Sequence, residues 1–88
     1  METLWVDFQN EGKEGVRLIC TGTLKELKEK SIELIDGLEL LIWSDDKDDC
    51  GKIDNLIVEA TVKYSNIDQC WVAQFDNEKL RNQSEINK

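Results

Sequence analysis

The chain has 88 residues with 11 basic and 19 acidic side chains, a net charge of −8, and neither histidine nor proline. That length supports one small domain with a thin core. That charge disfavours nucleic acid and anionic membrane as partners, because phosphate recognition needs clustered Lys and Arg. The one local basic cluster, Lys25, Lys28 and Lys30, is interleaved with Glu26 and Glu29. A basic protein surface, an extended peptide or a cation is the expected complement.

Met1-Glu2-Thr3 offers no positive start and no apolar run follows it, so no signal peptide is expected. The longest aliphatic or aromatic run, Leu40–Trp43, has four residues, too few for a membrane-spanning helix. Cys20, Cys50 and Cys70 are odd in number and widely spaced. They do not form a disulfide framework, which points to a reducing cytoplasm.

In chain order, residues 4–8 read as a short strand and Gln9–Gly15 as a polar loop with two glycines. Val16–Thr21 alternates like a second strand, and the two runs are spaced for a hairpin. Gly22 ends it. Thr23 and Glu26 fit a capping box at the start of a short helix over 24–30, with Leu24 and Leu27 on one face. Lys25–Glu29 and Glu26–Lys30 are helical ion pairs, the second better oriented. Ile32 and Leu34 suit a short extended piece that turns at Asp36-Gly37 and folds back on the next strand.

From Leu38 to Phe75 the two-residue rhythm is strongest. Leu38, Leu40 and Ile42 alternate with Glu39, Leu41 and Trp43; Leu56, Val58, Ala60, Val62 and Tyr64 alternate with Ile57, Glu59, Thr61 and Lys63. Trp71, Ala73 and Phe75 oppose Val72 and Gln74 in the same way. Strands with one wet face favour antiparallel pairing, and no helix-length crossover separates the three runs. Residues 1–76 therefore form a single small β domain. Residues 77–88 are a polar tail with one turn near 77–81 and a frayed, partly disordered end.

The predicted class is mainly β: a small bent antiparallel sheet, or a partly open barrel, of about five strands with one short helix. Gly22-Thr23-Leu24 with Leu27, Asp36-Gly37-Leu38, Asp45-Asp46 with Gly51, and Cys70-Trp71-Val72-Ala73 span about residues 16 to 76. Together they resemble small bacterial domains with an SH3-like barrel. The resemblance implies a fold and not an activity, since one fold hosts many functions.

The loop Ser44–Asn55 is the most distinctive stretch. Counted from Asp46, carboxylates fall at positions 1, 3 and 9 (Asp46, Asp48, Asp54) and glycine at 6, as in a calcium loop. Cys50 at position 5 and Ile57 at position 12 depart from that pattern, and strands flank it instead of helices. The same residues suit a solvated hairpin loop that discourages strand pairing. They also suit a docking patch, with Asp45, Asp46, Asp48 and Asp49 facing a basic partner. Trp43 shares parity with Glu39 and Leu41. It stands either on the outer face beside these acids, where it stacks on a peptide, or beneath the helix or first strand. Trp71 is expected to anchor the core.

Cys20 and Cys70 are expected as buried small hydrophobes, whereas the acids around Cys50 disfavour its thiolate. The cysteines lack C-x-x-C spacing, no histidine is present to complete a zinc site, and the commonest general base is missing. No nucleophile adjoins a base, and Gly12 to Gly15 lacks phosphate-loop spacing. Neither catalysis nor a cofactor is expected. The favoured function is a protein-interaction module that uses the acidic loop and Trp43. The alternative is a structural or regulatory small subunit that oligomerises through a sheet edge, and the outsider is a calcium-responsive domain.

Overall fold

The structure, a computed structural model, describes residues 1–86. It is mainly β. Its six strands are β1 (Thr3–Trp5), β2 (Val16–Arg17), β3 (Glu39–Ser44), β4 (Leu56–Ser65), β5 (Cys70–Gln74) and β6 (Arg81–Asn82). Its helices are α1 (Thr21–Glu29) and a single turn, α2 (Gln83–Ile86). The strand order is β1-β3-β4-β5-β2, with β6 beside the start of β4, and β1 and β2 lie at opposite ends, so the sheet is open.

The three central strands pair antiparallel, as their alternation predicts. The expected hairpin of residues 4–8 with 16–21 does not form. β1 runs parallel to β3 (Thr3 with Leu41, Trp5 with Trp43), while β2 pairs antiparallel with β5. The sheet is therefore mixed and not purely antiparallel. The physical reason lies between β1 and β3: α1 supplies the crossover that parallel neighbours require.

The core lies on one face of the sheet. Leu4, Val6, Val16, Leu18, Leu40, Ile42, Val58, Ala60, Val62 and Ala73 are buried together, and Leu27 of α1 joins them. Leu24 does not share that fate; it is 50% exposed, because α1 leans on the margin of β1 and presents little more than Thr23 and Leu27 inward. Residues 31–37 form no paired strand. Ser31 takes a left-handed φ of 54° and ends α1, with Ile32 N–H bonded to Leu27 C=O and Ser31 N–H to Lys28 C=O. Ile32 and Leu34 then cross to the core, where Trp71 also packs. Trp71 meets Tyr64 edge-on at 5.4 Å.

The C-terminal segment is built into the sheet rather than trailing from it. A 3-10 turn over Asn77–Lys79 fulfils the expected turn. β6 then pairs Arg81 with Ile57 and Asn82 with Leu56. A two-residue strand carries no periodicity, which is why a polar sequence hid it. The frayed end expected after that turn is β6 and α2 as far as residue 86, and residues 87 and 88 lie outside the described residues.

Candidate functional site

Strand parity puts Leu41, Trp43, Ile57, Glu59, Lys63, Ser65, Val72 and Arg81 on the outer face, opposite the core. The face is finished differently at its two ends.

At the β6 end it is open. A groove of about 570 Å³ has Leu41 and Ile57 on its floor and Glu59, Lys79, Arg81 and Gln83 around it. Its size falls in the range of small-ligand and peptide-side-chain sites, about 300–1,000 Å³. Leu41 and Ile57 are half-buried. Trp43 is half-buried too, in register between Trp5 and Ile57. It stands beside the groove and does not line it. Lys79 and Arg81 were missed by sequence reasoning because residues 77–88 read as a tail.

The acidic loop abuts this end, and most of its carboxylates are engaged by the protein itself. Asp45 Oδ2 accepts from the Trp5 indole N–H at 3.0 Å. Asp46 Oδ2 accepts from the Asn82 carboxamide at 2.9 Å. Asp48 Oδ1 turns back to accept from Cys50 N–H and Lys52 N–H, each at 2.9 Å. Asp54 accepts from Ser84 N–H at 2.8 Å and Ser84 Oγ–H at 2.7 Å. Backbone bonds between Asp46 and Asp54 and between Asp48 and Lys52 zip the loop into a small ribbon, with Gly51 at φ 79° in its turn. The calcium candidates Asp46, Asp48 and Asp54 thus face three different partners. Among the described residues no group of three or more His, Cys, Asp or Glu side chains converges as a metal site. Asp49 and Cys50 lie exposed at the tip.

At the other end the face is covered. The loop of residues 10–15 folds over β4 and β5, so Val72 is as buried as Ala73 although the two point in opposite directions. Ser65 sits at the centre with no exposure. Its hydroxyl donates to Glu14 Oε1 at 2.6 Å and accepts from Asp68 N–H at 2.9 Å. Glu14 Oε2 is bonded to Lys63 Nζ at 2.8 Å. The Asp68 carboxylate accepts from Lys13 N–H and Glu14 N–H, both at 3.0 Å. The Gly12–Gly15 segment is therefore an anion cradle, and the anion it holds is the chain's own. A Cβ at Gly12 would come within 2.6 Å of that carboxylate. Arg17 adds positive charge nearby, its Nε buried without a hydrogen-bond partner among the described residues.

These contacts set the titration of the cluster. Lys63 and Ser65 hold the Glu14 carboxyl below the usual glutamate range. The amides of Lys13 and Glu14 hold Asp68 below the aspartate range. Glu14 raises Lys63 in turn. Burial, with Asp68 adding to it, pushes the Cys70 thiol up. Cys70 and Cys20 are half-buried and not fully enclosed as expected, and all three cysteines are free thiols. Charge at this end is matched within the cluster, whereas at the groove Lys79 and Arg81 are exposed.

No helix among the described residues is long and apolar enough to cross a membrane. No family model, curated protein or solved structure matches the chain, and the SH3-like resemblance rests on the sequence alone.

Proposed function

We propose that this chain is a non-enzymatic protein-interaction module that takes an extended peptide along the outer face of β3, β4 and β6. One observation carries the reading: half-buried Leu41 and Ile57 line a groove edged by both signs of charge, Glu59, Lys79 and Arg81, with half-buried Trp43 beside it. An apolar side chain of the peptide seats on Leu41 and Ile57, and Trp43 flanks it. A basic residue of the peptide points to Asp49 at the tip of the loop, with Asp45 at its foot, where charge steers and orders the encounter. The absence of histidine and the enclosure of Ser65 support a non-enzymatic role, and the three free thiols support a cytoplasmic setting.

The sheet-edge alternative draws less support. β1 is flanked by α1, and β2 by residues 10 and 11, through Arg17 N–H to Asn10 C=O and a bridge of Glu11 to Val16.

A displayed library of random dodecapeptides tests the proposal. Peptides selected on the native protein should shift the Trp43 indole signal in NMR spectra. They should bind Ile57→Glu at least about tenfold more weakly, the loss of roughly one well-packed apolar contact. Asp49→Asn should weaken them only at low salt. Undiminished binding to Ile57→Glu would overturn the groove as the site.

A further inference from the structure

The backbone of β1 sorts its hydrogen-bonding groups by parity. Glu2 C=O accepts from Leu41 N–H, and Val6 N–H donates to Trp43 C=O, so positions 2 and 6 turn toward β3. Thr3 and Trp5 turn the other way, to the free edge. No strand stands there; α1 does. Trp5 N–H donates to Glu26 Oε2 at 3.1 Å, and Trp5 C=O accepts from Thr23 Oγ1 at 2.8 Å. Thr3 C=O accepts from Lys30 Nζ at 2.8 Å. Glu26 and Lys30 are themselves joined at 2.7 Å, their side chains only 19% and 34% exposed. The neighbouring pair Lys25–Glu29 spans 3.9 Å and lies open to water at 76% and 61%. The Trp5 ring packs on Gly22, where a Cβ would come within 3.0 Å of it, so the helix approaches the strand closely at its start as well.

An uncovered strand edge is a template for another strand. We propose that α1 is an edge guard: the row Thr23, Glu26 and Lys30 stands in for the missing strand and keeps β1 from pairing with β1 of a second copy of this chain. The row answers both Trp5 groups and the Thr3 carbonyl, donor to carbonyl and acceptor to amide. Only Thr23 and Leu27 of α1 are buried, so these polar contacts are a large part of what holds the helix there. The inference stands whether or not the groove binds peptide.

The test compares Glu26→Ala/Lys30→Ala with the charge-matched control Lys25→Ala/Glu29→Ala. In the first, exchange of the Trp5 amide should accelerate at least about tenfold, as expected when a charge-assisted hydrogen bond is lost. Sedimentation should become concentration-dependent toward dimer. The control should do neither. Glu26→Gln, whose carboxamide oxygen accepts the same bond, should restore protection of the Trp5 amide. Should the double variant fail to fold, isosteric Thr23→Val removes only the bond to Trp5 C=O and should move both readouts the same way by a smaller step. Unchanged exchange, equal association in the control, or faster exchange without association would each overturn the guarding role.

Discussion

Val72 and Leu41 lie on the same face of the same sheet, two strands apart, and meet opposite surroundings. Val72 is sealed under the residue 10–15 loop; Leu41 is half-exposed in the groove beside Arg81. The sealed end neutralises its charges internally, Glu14 against Lys63 and Asp68 against two amides. The open end keeps apolar surface next to exposed charge. In a domain this thin, a loop that can fold over an apolar strand face will do so, since each buried methylene contributes about 0.8 kcal/mol. A half-covered apolar patch is then more informative than a fully covered one.

The largest effect expected from this contrast runs against side-chain size. Val72→Ala removes less carbon than Leu41→Ala, yet it leaves a cavity under the loop and should cost about 2 kcal/mol. Leu41→Ala should cost under about 1 kcal/mol, because water reaches the space. Urea denaturation of the two variants decides it, and equal losses would erase the distinction between the ends.

Ser65→Ala comes next. It strips Glu14 of one donor and the Asp68 amide of its acceptor in a site with no water access to the hydroxyl. A loss of about 1–2 kcal/mol is expected. Ile57→Ser at the open end should stay below it in the same assay.

The cradle sharpens the comparison through coupling. Gly12→Ala drives a methyl group into the Asp68 carboxylate, and Asp68→Asn removes the charge that the cradle holds. Both break one unit, so the double variant should be no less stable than the worse single one. Simple addition of the two losses would show that Gly12 and Asp68 act separately.

The same residues show what the sequence discloses and what it withholds. The central strands were legible because Leu40, Ile42, Val58, Ala60 and Val62 obey a two-residue period wherever one face is wet. Thr23 and Glu26 were legible as special, but as a reciprocal helix cap. In the fold, α1 begins three residues earlier with Cys20 at its N-cap and no side-chain bond there, and both side chains serve β1 instead. Local spacing identifies a polar pair; only tertiary approach decides its partner. Glu14 and Asp68, 54 residues apart, leave no local trace at all. Gly12 to Gly15 lacks phosphate-loop spacing, so nothing local announces that its amides hold an anion, the chain's own Asp68. The acidic loop is the converse case. Its aspartates look like a ligand set in one dimension, and folding spends them on Trp5, Asn82, Ser84 and the loop's own amides.

The smallest effect expected is a pH dependence confined to the sealed end. Glu14 and Asp68 have folded pKa values below their unfolded ones. Their contribution to stability is complete above the unfolded values and disappears as pH falls through the folded values. Lys63, raised by Glu14, behaves inversely: its contribution is complete below its unfolded pKa and is lost as pH rises through the folded one, far into alkali. Between those limits these three groups should add no slope to stability. Glu14→Gln should lower the plateau and flatten the acid limb, while also removing the alkaline contribution of Lys63. Because all three groups border solvent, each step should be small and should shrink with added salt. Melting temperatures from pH 2 to 6 at low and high ionic strength measure the acid part. An acid limb identical in the native protein and in Glu14→Gln would mean that the Glu14 carboxylate contributes no net stability, and that the Asp68 cradle and Val72 keep the loop in place without it.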